Sequence, residues 1–545
     1  MKDNTATYLE KGYWADRHLT WYFERAVKSS PDKIAVTDDR FGDVTYADLA
    51  AQVGRLAAAL QANGINRGDR FIVSMPNWYQ VTAFALALDY IGAIAVHMPF
   101  VGGAHEYAGV IRTAQAKGLA VTGQFRSVNY VSVINSIADK CDSLELRISV
   151  GHDKDEEGWL TFDALLANAP ADQPEPVELL SPSELSLLLF TSGSTGDPKG
   201  VMHSTNSFTT LNTVVTHRYK LTSDDIIYMA APLGFSGGYG HGLRLAIFLG
   251  AHLILQDQWD TERALETMAR EKATFSMATP TLIRDLLNCQ KFQSYGSSIA
   301  LKVVLCGGAS VPSDLLREAR EKLPQTLTTV IWGMTEGVGT TCRPDMPDED
   351  ITGSDGVPFW GTELKIISED DAEVPVGDEG DIIMRGPSMF MGYFKRPELN
   401  DELFMPGGWF RTGDMGRLDA KGLLHITGRR KELIIRGGAN ISPAEIEEAL
   451  YRDPRIKQLA IVGISDDRLG EKVCACLIAG ENDDQLGLAD IVDIAERQGL
   501  AKYKWPEKLE YVDALPMTSS GKLKRIALRE NIEQKNINAT PGITA

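Results

Sequence analysis

Apolar residues recur at helical spacing in ADLAAQVGRLAAALQAN, Ala47 to Asn63. Just before that run, Thr45 and Asp48 stand three apart, the arrangement in which a hydroxyl and a carboxylate cap a helix start reciprocally. Gly64 supplies the stop. Next come an apolar run at Arg70 to Met75, a helical run from Trp78 to Tyr90 and a second strand-like run, AIAVHM, from Ala93 to Met98. Strands that alternate with helices predict an α/β architecture with mainly parallel sheets and flanking helices.

The alternation resumes after NAPADQPEPVELLSPSEL, Asn168 to Leu185, whose prolines and acids mark an exposed connector. A helix is expected from Ser204 to Val215, then the strand DIIYMAAPL, a glycine-rich turn GFSGGYGHG and the strand AHLILQ. KVVLCGGAS and TVIWGMTEG each run an apolar strand into glycine and hydroxyl residues. Ligands of open α/β sheets sit outside the carboxyl ends of the strands, so these loops are expected to face one crevice. From Gly380 to Ile426, short β runs separated by glycine predict hairpins instead of crossovers.

The basic run Gly428-Arg429-Arg430-Lys431 reads as a solvated junction, dividing the chain into residues 1–428 and a smaller α+β part, 429–545. In that smaller part Ser442-Pro443-Ala444-Glu445 heads a predicted helix, EIEEALYRD. Strands AIVGI and KVCACLI, a helix near Ile491 to Gln498 and a tail ending LPMTSSGKLKR complete it.

Composition narrows the picture. A chain of 545 residues with 43% hydrophobic and 24% charged residues supports a large core and more than one domain. Its net charge of −19 argues against a nucleic-acid partner, so any anionic ligand has to be met by local cations. The six cysteines have no C-x-x-C spacing, which suggests neither a zinc site nor a disulfide framework. Cys474 and Cys476 alternate on an expected strand as core residues. The first 30 residues lack the apolar core of a signal peptide. Phe84 to Phe100 contains Asp89 and His97 and reads as a buried helix and strand, not a membrane span. A cytoplasmic location is expected, and a homodimer is compatible with the sequence.

The segment LLLFTSGSTGDPKGVMHS, Leu187 to Ser204, packs three glycines, a lysine and five hydroxyl residues behind an apolar run. Such a loop converges N–H groups and hydroxyls on phosphate oxygens. It does not fit the pattern G-x-x-x-x-G-K-[ST]. Counted from Gly193, the second glycine position is Pro198, and Lys199 is followed by Gly200.

Five motifs in this order, TSGSTGDPKG, WGMTEG, GWFRTGD, GRRKELIIRGGANISPAEIE and PMTSSGKLKR, resemble the adenylate-forming superfamily. That superfamily comprises acyl-CoA synthetases, adenylation domains and luciferases, and the similarity is greatest to cyclohexanecarboxylate-type and aryl-acid CoA ligases. The resemblance implies an acid–thiol ligase that uses ATP, Mg²⁺ and coenzyme A. A carboxylate attacks the α-phosphorus of ATP to give acyl-adenylate and pyrophosphate, and a thiol then displaces AMP.

By the same resemblance, Thr191, Ser192, Gly193, Ser194, Thr195, Gly196 and Lys199 surround the departing phosphates. Glu336 holds Mg²⁺, a hard cation suited to carboxylate oxygens. Thr335 donates to the α-phosphate. Trp332 stacks on adenine, and Gly307, Gly308 and Ala309 admit the purine edge. Asp414 accepts the ribose hydroxyls beside Arg429. Lys522 neutralises charge between the attacking carboxylate and the phosphate. Lys431 is the pivot of a mobile C-terminal domain, and Gly437 and Gly438 leave room for a pantetheine arm. Lys524 and Arg525 read as surface charge near the CoA phosphates.

Phe235 follows the Pro-Leu pair where many related ligases carry histidine. Gly238 on one wall, with Gly237, Gly240 and Gly242 beside it, and Gly333, Gly337 and Gly339 on the other, imply a roomy, mostly apolar acid pocket. Turn geometry alone is the competing reading of these glycines. A medium or bulky alicyclic, aromatic or fatty acid is expected, and no aspartate is placed to receive an amino-acid ammonium. Alternatives are an enzyme that loads the phosphopantetheine of a carrier protein and a nucleotide-binding protein on an inactive scaffold.

Overall fold

In the computed structural model, residues 5–100, 102–151, 156–191, 198–436, 439–466, 468–478, 486–498, 500–517 and 523–539 are described. Two large sheets share one apolar core. The first is built on the parallel strands Ile34–Asp38, His252–Leu255, Ile226–Met229, Phe275–Ala278, Val303–Cys306 and Leu327–Met334. Gly42–Thr45 closes one edge antiparallel, and Gly337–Thr341 and Val357–Pro358 close the other. The second runs Leu185–Thr191, Ile94–His97, Arg70–Ser74, Gly118–Thr122, Leu146–Val150 and Leu160–Thr161, all parallel. Central parallel strands are buried on both faces, which is why their sequences are continuously apolar.

The predicted helix after Thr45 spans Tyr46–Ala62, and the Thr45 hydroxyl accepts from Asp48 N at 3.1 Å. Tyr79–Tyr90 is a second helix, nearly all buried, and leads into the buried strand Ile94–His97. No helix among the described residues is long and apolar enough to cross a membrane.

Three elements depart from the periodicity. Lys199–Ser204 is a return strand antiparallel to Leu185–Thr191, and the following helix runs Thr205–Tyr219. The stretch expected as a glycine-rich turn is helical from Ser236 to Leu249, through a π-wound segment Tyr239–Arg244. Its glycines serve packing: a Cβ on Gly240 would stand 2.7 Å from Leu211, and one on Gly242 2.9 Å from Met229. Close contact with a neighbouring helix and strand overrides the poor helix propensity of glycine. The expected tail continues as a helix, Arg525–Ala539.

Glu363–Ile367, Gly380–Arg385, Phe404–Met405, Trp409–Leu418 and Leu424–Arg429 form an antiparallel sheet, the hairpins expected between Gly380 and Ile426. A further sheet of Ala439–Ile441, Ile434–Arg436, Gly470–Ile478, Leu459–Asp466 and Lys508–Val512 has its own cores. Cys474 and Cys476 pack there with Leu528 and Ile532. The helix Pro443–Leu450 begins at Ser442, but Ser442 does not cap it, because its hydroxyl donates to the Thr427 carbonyl.

Candidate active site

The loops at the carboxyl ends of the parallel strands open onto one cavity of about 1570 Å³. Thr191, at the end of its strand, and Lys199, at the start of the return strand, line it together. Gly333 near the end of the strand Leu327–Met334, Thr335 and Glu336 in the turn after it, and Gly337 at the start of the next strand line it as well. Phe235 and Gly238 line it from the start of the helix at Ser236, and Arg429 and Lys431 from the junction. Gly308 lines it with φ +84°, a conformation that favours glycine. Gly307 is buried beneath that loop, where a Cβ would sit 2.5 Å from the Ile331 carbonyl, and Ala309 is exposed at its rim. Ser192, Gly193, Ser194, Thr195, Gly196, Gly437, Gly438 and Lys522 lie outside the described residues. Met517 and Leu523 pair in a β-bridge and both line the cavity.

Tyr393 and His203 organise the reacting end, and neither was visible in the motifs. The Tyr393 hydroxyl donates to Glu336 Oε1 at 2.6 Å. Lys199 Nζ lies 5.5 Å from the centre of the Tyr393 ring. The segment carrying Tyr393 is bonded to the Lys199 strand, with Phe394 N on the Gly200 carbonyl at 2.8 Å. Burial, and then the like charge of Lys431, lowers the Lys199 ammonium below its ordinary value. His203 Nε2–H donates to the Thr335 carbonyl at 2.7 Å, so the histidine fixes the backbone beneath that hydroxyl. No sequence signal marked either residue: Tyr393 lies outside the five motifs, 57 residues from Glu336, and His203, although within the segment Leu187 to Ser204, is 132 residues from Thr335.

Trp332 differs from the sequence expectation. It is 7% exposed, and its six-membered ring lies where a Gly339 Cβ would approach within 2.2 Å. Its indole N–H donates to Asp414 Oδ2 at 2.9 Å, and Arg429 Nε meets Asp414 Oδ1 at 2.9 Å. The ring is a core aromatic that orients the carboxylate, and it does not present an open platform. The junction is also less solvated than expected. Arg430 grips both oxygens of Asp381 at 2.7 Å. Arg525, expected as surface charge, is half-buried between Glu432 and Glu447, and Lys524 stays exposed.

Three histidines sit in or behind the cavity wall. Burial pushes His97 down to about 3 and His203 and His241 down to about 4. Groups whose folded pKa is depressed stabilise the fold above their unfolded pKa, near 6.5, and lose that contribution as pH falls through the folded value. Stability should therefore decline between about pH 6.5 and 4. The imidazole resonances of these three residues should stay in the neutral form from pH 8 to 5. Titration near pH 6.5 in the folded protein would contradict it.

The sequence matches the family model described as AMP-binding enzyme over residues 23–394, and that of the AMP-binding enzyme C-terminal domain over 445–522. It is 33% identical over 533 residues to the medium-chain fatty-acid–CoA ligase of Escherichia coli (strain K12), covering 97% of this chain and 93% of that one. It is 32% identical over 518 residues to the feruloyl-CoA synthase of an Amycolatopsis species, covering 94% and 98%. The structure of ATP-bound MatB from Rhodopseudomonas palustris superposes with a TM-score of 0.84 at 27% identity, covering 95% and 100%. With both family models matched in order and two full-length ligases above 30% identity, the chain belongs to the AMP-binding enzyme family and is an acid–thiol ligase.

Proposed function

We propose that the protein activates a medium-sized or bulky carboxylic acid with ATP and transfers the acyl group to coenzyme A. The observation that carries this is the single cavity, which joins the polar cluster of Lys199, Thr335 and Glu336 to an apolar chamber walled by Phe100, Phe208, Leu211, Phe235 and Met277. Attack of a carboxylate on a polyphosphate brings anion to anion, so the cations and donors belong at one end of the space and the acyl tail at the other. The E. coli relative takes its name from medium-chain fatty acids and the Amycolatopsis relative from an aromatic acid, both of which suit such a chamber.

In this reading Lys199 and Thr191 receive the β- and γ-phosphates and Thr335 the α-phosphate. Asp414, aligned by Trp332 and Arg429, accepts the ribose hydroxyls. Gly308 lets the purine edge approach. Glu336 offers one carboxylate, and the described residues contain no cluster of three or more acidic, histidine or cysteine ligands. One carboxylate completed by phosphate oxygens is a set that Mg²⁺ accepts, so the site fits an ion carried in by the nucleotide. The ion would supply charge neutralisation on the phosphates. Residues 429–545 form the mobile part, with Lys431 as its pivot and Gly437 and Gly438 beside the pantetheine arm.

The reading is tested by pyrophosphate release across a carboxylic-acid panel, with and without CoA. Acid-dependent release and saturable thioester formation with free CoA are expected. Release without any use of free CoA would favour transfer to a carrier protein, and no release with any acid would remove the ligase reading.

A further inference from the structure

One wall of the cavity is the helix that begins at Ser236, and it is π-wound from Tyr239 to Arg244. Hydrogen bonding from i to i+5 brings residues five apart toward the same face, where an α-helix would rotate them well away from each other. Ser236, in the α-helical turn just before the π-wound stretch, and His241, within that stretch, both line the cavity. Ser236 marks the reacting end, because its Oγ is 3.4 Å from Thr335 Oγ1. His241 stands five residues further along the same helix, about 5–8 Å along its axis.

His241 is 4% exposed, and its Nδ1 is wholly buried without a hydrogen-bond partner among the described residues. No described group bonds its Nε2 either. Nδ1 is sealed within the protein, so Nε2 is the ring nitrogen that a group in the cavity can meet. The surrounding wall cannot do so: Phe208 and Leu211 are apolar, and His203 is already committed to the Thr335 carbonyl. Arg244, on the same helix, donates to Thr209 Oγ1, stacks on the Phe208 ring and does not line the cavity. Burial keeps the His241 imidazole neutral at pH 7, with one N–H to give and one lone pair to receive. Presented through Nε2 alone, the N–H suits a ketone and either function suits a hydroxyl, and neither neutralises a second carboxylate.

We propose that the acid carries an uncharged hydrogen-bonding group, a hydroxyl or ketone, roughly 5–8 Å from its carboxyl carbon, and that His241 is the specificity residue that receives it. This rests on the ligase reading and narrows its substrate class.

The test is ATP–pyrophosphate exchange with matched acids: cyclohexanecarboxylate against its 4-oxo and trans-4-hydroxy derivatives, with octanoate as a plain acid. Wild-type enzyme should favour an oxygenated acid by about tenfold or more in kcat/KM, and His241→Leu should cut that ratio by about tenfold. His241→Gln, which keeps a donor and an acceptor, should restore much of it. A merely structural histidine would lower both acids alike and leave the ratio unchanged, which would overturn the proposal. If His241→Leu does not fold, the wild-type ratio decides, since discrimination of no more than about twofold overturns it. Exchange with the plain acids but no preference defeats this inference alone, whereas no exchange with any acid defeats the ligase reading and this inference together.

Discussion

Lys522→Ala lowers acid-dependent ATP–pyrophosphate exchange by at least about 10²–10³-fold and leaves thioester formation from supplied acyl-adenylate within a few fold of wild type. The first half-reaction drives a carboxylate onto a polyphosphate, so a cation at the α-phosphorus is worth most in that transition state. In the second half-reaction the thiol attacks the acyl carbon and AMP departs as an anion, so no anion is driven onto the α-phosphorus and that requirement is absent. Met517 and Leu523 lie on the cavity wall on either side of the segment carrying Lys522. Exchange and thioester formation are measured separately on the same preparation. Equal loss in both would show that Lys522 holds the fold together and does not act in one step.

Asp414→Ala raises the KM for ATP by about ten- to a hundredfold, the equivalent of one or two charge-assisted hydrogen bonds. The carboxylate is 4% exposed and held from both sides, by the indole of Trp332 and the guanidinium of Arg429. Its removal strands a buried indole N–H, so the unfolding temperature falls as well. Asp414→Asn separates the two effects. The amide oxygen still accepts from Trp332 and restores stability, but the charge opposite Arg429 is gone and the ATP KM stays raised. An unchanged KM in Asp414→Ala, measured by exchange at saturating acid, would remove the ribose role.

Much of the architecture was legible because parallel strands buried on both faces are written as apolar runs, as in Arg70–Ser74 and Val303–Cys306. The Thr45 cap was legible because its two partners are three residues apart. What escaped depended on distance along the chain. The Lys199 return strand is specified by pairing with Leu185–Thr191 and by backbone bonds to Met391 and Phe394. The helix at Ser236 reads as a turn because its glycines answer to Phe208, Leu211 and Met229, not to local propensity. Trp332 was expected as an open ring from its motif, but its environment is set by Gly339 and by Asp414, 82 residues away. The reacting end was visible as residue types, whereas Tyr393 and His203, which hold those residues in place, were found only through contacts 57 and 132 positions apart.

The junction around Lys431 has a further consequence. The residue before it, Arg430, is clamped to Asp381, and the residue after it, Glu432, is clamped to Arg525. With Lys431 as the proposed pivot, the freedom between the two bodies reduces to the torsions of about one residue. Such a joint confines the C-terminal segment to an arc, where a floppy linker would let it wander through a sphere. In that reading the tail proposed to carry the adenylation lysine searches a path instead of a volume, and its effective concentration at the cavity remains far above what a tether of equal reach would give.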